Sequence, residues 1–175
     1  MKTRVATARD AQSIAELHIA SWQQNYTNAL SANYLNNIAP AERKALWAQR
    51  FAQPQANQQV FVAENSSELV GFACVYHNHN PKWGAYLDNL HVASQCQGLG
   101  VGKQLLQAVA SWCLTQNNSA NAGMCLLVNR NNTNAQAFYL HLGARNAEQS
   151  VWHAPDGSDV PTFWFVWDSM EPLLK

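Results

Sequence analysis

The stretch from Tyr86 to Leu106, YLDNLHVASQCQGLGVGKQLL, constrains this chain more than any other. Its first seven residues alternate. Leu87, Asn89 and His91 fall on one side and Tyr86, Asp88, Leu90 and Val92 on the other, which is the period of a strand. Glycines then occupy alternate positions, Gly98, Gly100 and Gly102. After them the apolar period becomes helical, through Leu105, Leu106, Val109, Trp112 and Cys113. Strand, glycine turn and helix start together make an anion-binding device. Glycines let backbone amides approach a ligand, and the first helical turn offers free N–H groups at the positive end of its dipole. Three such glycines weaken a helix nucleus unless something must come close to the backbone.

Two familiar nucleotide loops do not fit. A P-loop needs G-x-x-x-x-G-K-[ST]; here Gly98 and Gly102 stand one residue too close, and Gln104 replaces the hydroxyl that would hold magnesium. A dinucleotide fingerprint needs G-x-G-x-x-G and a carboxylate about 20 residues on. Here the third glycine comes a residue early, and the next carboxylate is Glu148.

Formal net charge is zero, which leaves no footprint of a nucleic-acid partner and weighs against a strongly acidic acceptor. Yet no carboxylate occurs between Asp88 and Glu148, while Lys103, Arg130 and Arg145 lie inside that span. Asn/Gln substitution on a solvated face and a surface kept clear for a polyanion are both open readings. No apolar run approaches the ~20 residues that cross a bilayer, and the N-terminus lacks a signal pattern. Cys74, Cys96, Cys113 and Cys125 form no C-x-x-C pair, so reduced buried thiols and a cytoplasmic location are expected, without membrane or metal. His77-x-His79 lacks a third ligand, and His18 sits on an apolar helical stripe as a core histidine would.

Along the chain, Thr3–Ala6 reads as a short strand and Thr7-x-x-Asp10 as a helix start. Helical spacing runs through Ile14, Leu17 and Trp22, and on through Tyr26, Leu30 and Tyr34 into a second helical region. Another helix starts at Pro40. Gln59–Glu64 and Glu68–His77 form a hairpin, and a loop follows at 78–82. A helix over 100–116, a polar linker over 117–122, and a buried strand over Met124–Val128 come next. Asn132 caps a helix that stops at Gly143; Arg145–His153 and Thr162–Trp167 form the last hairpin. This order implies one mixed sheet with helices on both faces, an α/β (mixed α+β) domain spanning residues 1–175.

Gln97-x-x-Gly100-x-Gly102, after a strand ending Leu90-His91-Val92, resembles the coenzyme A loop of the GNAT superfamily of N-acyltransferases. A second segment, through Val128, Asn132, Ala135, Tyr139 and Gly143, is similar to that family's V-x-x-x-N-x-x-A-x-x-x-Y-x-x-x-G pattern; Ala144 departs from the bulky residue usual there. The resemblance implies about seven mostly antiparallel strands, splayed between the fourth and fifth. It implies acetyl-CoA as cosubstrate and a primary amine, small molecule or peptide N-terminus, as acceptor by direct attack. The same loop on a non-catalytic coenzyme sensor is the alternative. Gln97, Gly98, Leu99, Gly100, Val101, Gly102, Lys103 and Asn132 would hold the coenzyme, with backbone groups of Leu90, His91 and Val92 along its arm. Tyr139 would be the general acid, also touching the coenzyme, and Asp88 the base or ammonium anchor. His91 has the more suitable pKa, but a regular strand turns it away from Asp88, which a bulge would alter. Trp22, Tyr26, Trp83 and Tyr86 would wall the acceptor site, with Trp47, Trp152 and Trp164 as further aromatic candidates, and a homodimer through the aromatic last strand is possible on this pattern.

Overall fold

The computed structural model describes residues 1–116 and 123–175; the linker expected over 117–122 lies outside them. The strands are β1 (Lys2–Val5), β2 (Gln58–Asn65), β3 (Glu68–Asn80), β4 (Gly84–Val92), β5 (Met124–Asn129), β6 (Arg145–His153) and β7 (Asp159–Trp167). The helices are α1 (Ala11–Asn25), α2 (Ala39–Ala52), α3 (Val101–Thr115) and α4 (Thr133–His141). All seven strands join one sheet in the order β1-β2-β3-β4-β5-β7-β6, in which only β4 and β5 run parallel.

Local chemistry explains the elements. Asp10 accepts the Thr7 amide at 2.7 Å and is clamped by Arg4 at 2.8 Å, fixing the entry to α1. Ser66 and Ser67, at φ of 49° and 72°, turn β2 into β3 with the backbone sense that suits a twisted hairpin. α3 packs Leu105, Leu106 and Val109 against one face of the sheet, over Val70, Val75 and Leu126. On the other face α1 and α2 bring Ile14 and Trp47 onto Val62 and Phe72. The four cysteines are free and buried, as their spacing predicts.

Three expectations change. The spacing Trp22, Tyr26, Leu30, Tyr34 mimics a continuing helix, but α1 ends at Asn25. Leu30, Tyr34 and Leu35 are instead buried beside Ala154 and Val160, and a π-helical turn at Tyr34–Ile38 leads into α2. β3 runs to Asn80, shortening the expected loop. The aromatic last strand β7 is paired on both sides, by β5 and β6, so it offers no edge for a second copy to extend; the free edges are β1 and β6.

The fourth correction concerns β4. Asn89 pairs with Cys74 but Leu87 with Val75, so Asp88 and Asn89 together oppose one residue: a β-bulge. The alternation therefore flips. Ala85 and Leu87 face α3, and beyond the bulge so do Leu90 and Val92. Tyr86 and His91 face α1 and α2. Asp88 thus shares its face with His91, and not with Leu90 and Val92 as strict alternation has it.

β4 and β5 pair only at Ala85↔Met124 and Tyr86↔Cys125, and then part. The closed end of this split is pinned by Gly123, whose carbonyl accepts from the Ala85 amide at 3.0 Å. A Cβ on Gly123 would lie 2.7 Å from the Trp167 carbonyl oxygen and 2.8 Å from that of Trp83, backbone atoms that cannot step aside. Gly123→Ala is expected to destabilise the fold by about 1–3 kcal/mol, as overpacking does. Its denaturant midpoint should drop at unchanged slope; a midpoint equal to the parent's would show that the pin can yield.

Candidate active site

The open part of the split forms a cavity of about 280 Å³. Leu87 to His91 line it from β4; Leu126, Leu127 and Asn129 line it from β5. Trp22, Tyr26, Arg43 and Arg50 close it from α1, α2 and their connection, and Trp152 and Pro155 from the last hairpin. Tyr139, on α4, also reaches it.

The backbone of β4 is oriented by its other neighbour. The Ala93 amide donates to the Val70 carbonyl at 2.8 Å, continuing the register in which Val92 faces Gly71 and His91 faces Phe72. Bonded and non-bonded pairs alternate in an antiparallel ladder. His91 therefore spends its backbone groups on β3, whereas the N–H and C=O of Leu90 and Val92 turn to the open side. Among the expected positions for a donor into the cavity, geometry separates Leu90 from His91.

At the end of β4 the glycine loop leads into α3. Gly98 and Gly100 have φ of +75° and +81°, left-handed values that exclude most side chains, and a Cβ on either would meet nothing within 4 Å. Their surroundings are open for a ligand. Among the described residues no amide from Gly98 to Lys103 has a backbone acceptor, and the first such bond of the helix is Gln104 to Gly100 at 3.1 Å. Gln97 ties the loop back through its side chain to the Val92 carbonyl at 3.3 Å. Leu99 and Lys103 are exposed and Val101 is buried. Gly102 has a different reason to be glycine: a Cβ there would lie 2.9 Å from the Phe138 ring, so it sets the approach of α3 to α4. Asn132 caps α4, its side-chain oxygen accepting the Ala135 amide at 3.1 Å. An array of free amides beside open glycines fits a phosphate-bearing ligand.

Asp88 is held by a residue that sequence reasoning left out of the site. Arg50 Nη2 donates to Asp88 Oδ2 at 2.7 Å, and Nη1 to Asn89 Oδ1 at 2.9 Å. The bulge is what lets both side chains reach one guanidinium. Tyr26 stacks on Trp22 with centroids 5.3 Å apart, and Trp152, one of the aromatics expected near the acceptor, meets both edge-on. Tyr86 joins this side of the cavity. Trp83 does not line the cavity. It is buried against Cys125 and Val166, with its ring 5.4 Å from that of Trp164.

Burial decides the protonation of the aromatic groups. It raises the Tyr139 phenol; it raises Tyr86, helped by the charge of Asp88; and it pushes Tyr26 up to about 12. It lowers His91 to about 4. His18 is fully buried, accepts from the Trp47 indole at 3.0 Å, lies 4.7 Å from the His91 ring, and is likewise held well below its ordinary value. The His91 Nδ1 is hydrogen-bonded to the Ser21 hydroxyl at 2.7 Å. These groups are therefore neutral at pH 7, and the lining carries two guanidinium charges, Arg43 and Arg50, against the one carboxylate of Asp88. Among the described residues there is no group of three or more His, Cys, Asp or Glu placed to hold a metal, and no helix long and apolar enough to cross a membrane.

Residues 12–144 match the acetyltransferase (GNAT) family. The 5-NmdU N-acetyltransferase of Pseudomonas phage PaMx11 is 31% identical over 93 residues, a match that covers 53% of this chain and 61% of the phage protein's length. Among solved structures, a GCN5-related N-acetyltransferase from Rhodopseudomonas palustris superposes with a TM-score of 0.73 at 19% identity, over 94% of this chain and 93% of that one. The PaiA N-acetyltransferase of Thermoplasma acidophilum, solved in complex with coenzyme A, gives 0.69 at 18% identity, over 93% and 98%.

The neutral histidines make stability depend on pH. His91 falls from about 6.5 unfolded to about 4 folded, so between those values the unfolded chain binds more protons and stability rises with pH. That linkage is present in full above pH 6.5 and drains by about 3 kcal/mol as pH falls to 4. Asp10, lowered to about 2 by Arg4, acts only below pH 4. Urea unfolding of the parent should weaken steeply between pH 6.5 and 4, and a His91→Gln variant should show a shallower slope there. Parallel slopes would place the titration elsewhere.

Proposed function

The chain belongs to the acetyltransferase (GNAT) family, and on that premise we propose that it moves the acetyl group of acetyl-CoA to a primary amine, by direct attack with both substrates bound. The observation that carries this reading is the split between β4 and β5, open from Leu87 onward, with free amides at its mouth and Tyr139 in its wall. The phage relative's name puts its acetyl group on nitrogen, which supports a nitrogen acceptor here. Residues 1–175 are read as one N-acetyltransferase domain, and buried free thiols support a cytoplasmic setting.

Acetyl-CoA supplies an acyl thioester. In this proposal the amides from Gly98 to Lys103 hold its pyrophosphate, with Lys103 adding charge. The open-side N–H and C=O of Leu90 and Val92 pair with amide groups of its arm, and the Leu90 N–H holds the oxygen on which negative charge develops, worth about 3 kcal/mol for one well-placed donor. An amine attacks only as the free base, and a lysine-like amine is mostly ammonium at neutral pH. Asp88, with Oδ2 on Arg50, leaves Oδ1 to receive the amine's proton, directly or through water. As the new C–N bond forms the C–S bond breaks, and the thiolate collects a hydrogen bond and then a proton at Tyr139. A phenol raised by burial stays protonated until that moment. Trp22, Tyr26 and Tyr86 enclose the acceptor.

Thiol release over a panel of amines, polyamines, aminoglycosides and peptides tests the reading. Tyr139→Phe is expected to lower kcat about 10- to 100-fold, with the KM for acetyl-CoA within about twofold of the parent. Full turnover by Tyr139→Phe and Asp88→Asn would remove both from the chemistry. Binding of acetyl-CoA with no thiol released from any amine would make the chain a coenzyme sensor instead.

A further inference from the structure

We infer that the acceptor amine carries a second group, an oxyanion, and that Arg43 is its receptor. This rests on the proposed acetyl transfer and names the substrate class within it. Arg43 lines the same cavity as Asp88 and lies with its guanidinium 4.6 Å over the Trp22 ring. Its side chain is 15% exposed, and its Nε is buried with no hydrogen-bond partner. Its acidic neighbour Glu42 approaches only to 3.8 Å, is 43% exposed, and accepts the Tyr34 hydroxyl instead. A guanidinium fork stacked on an indole, oriented yet without a bidentate partner, is built for a planar or tetrahedral oxyanion.

Arg50 is the contrast. It too lines the cavity, but its fork is filled by Asp88 and Asn89. Two guanidinium groups against one carboxylate leave the cavity lining one positive charge in excess, met from outside it only by Glu42 at 3.8 Å from Arg43, with the neighbouring phenols and imidazoles neutral. That surplus is unfavourable for a simple cationic amine and favourable for an amine whose own anion compensates it. The geometry also sets a length. Arg43 and Arg50 stand seven residues apart on α2, so they share a face and lie ~10 Å apart along its axis. The amine end belongs near Asp88, beside Arg50, and the anion near Arg43. An acceptor with several bonds between amine and anion spans this; the adjacent groups of a free α-amino acid do not. Carboxylate and phosphate offer the same chemistry to the fork, so both belong to the class.

The test uses matched acceptors with the whole chain and acetyl-CoA: hexylamine, 6-aminohexanoate and 6-aminohexyl phosphate, read by thiol release. The parent is expected to favour the two anionic amines over hexylamine by about 10- to 100-fold in kcat/KM, the size of one charged hydrogen-bonded contact, and the better of the two names the anion. Arg43→Gln should collapse that ratio to within about twofold, acting on acceptor KM more than on kcat, and Arg43→Lys should restore only part of it. Equal rates of all three with the parent overturn the inference while leaving acetyl transfer intact, even if the variants fail to fold. No turnover with any amine overturns both. A ratio that survives Arg43→Gln overturns the assignment to Arg43.

Discussion

The fold depends on a pairing that stops. Two parallel strands in the middle of a seven-stranded sheet hold together at Ala85↔Met124 and Tyr86↔Cys125 and then separate. Every residue of β4 beyond that point has a partner on one side only. Backbone groups left bare inside a protein cost about 1–3 kcal/mol each, so such a gap must be wetted or filled by a molecule with its own donors and acceptors. Gly123 keeps the closed end shut, because only a residue without Cβ fits between the Trp83 and Trp167 carbonyls. The open end delivers the chain into the glycine loop, so the free amides of α3 stand where the gap meets solvent. A strand-like gap and an anion site are thus one construction, set by where pairing ends.

What the sequence makes legible is what local chemistry encodes. Left-handed backbone at Gly98 and Gly100 leaves its mark as glycine; the α4 cap leaves its mark as Asn132; burial on both faces makes Met124–Val128 continuously apolar. The bulge at Asp88 has no such mark. It is a property of register against β3, and the residue that exploits it, Arg50, lies 38 positions away. Strict alternation consequently put Asp88 on the wrong face relative to His91. The spacing of Trp22, Tyr26 and Leu30 misled for a related reason: an interval of four suits a helix, but it also serves a connection whose side chains converge on one cluster before the helical turn at Tyr34–Ile38. Aromatic composition alone could not tell Trp152, which faces the cavity, from Trp83, which packs against Cys125 and Val166. Gly102 shows the opposite case. Its position in the motif was legible, but its packing against Phe138 depends on a helix 36 residues later.

The distribution of charge separates the two ends of the gap. The span without carboxylates, from Asn89 to Ala147, supplies the end of β4, all of α3, β5 and α4. It surrounds the mouth of the split, so nothing in it opposes an anion at the amides of α3. On the opposite side the cavity is bounded by α1 and α2, where Arg43 and Arg50 face a single carboxylate. A net charge of zero for the chain conceals both regions.

This surplus bears on how an amine could lose its proton. Burial and nearby positive charge both disfavour an ammonium, and each lowers an amine's pKa. Trp22, Tyr26 and Trp152 wall the cavity, and Arg43 supplies like charge until an acceptor's own anion meets it, while Arg50 is held by Asp88. His91, at about 4, holds no proton at neutral pH and draws one only weakly. In the proposed reaction the burden on a general base is then small, because such surroundings favour the neutral amine. In the same proposal Asp88, already anchored by Arg50, need only relay a proton that the site is disposed to release. In such a site the position of the carboxylate matters more than its basicity, and that position is fixed by the bulge.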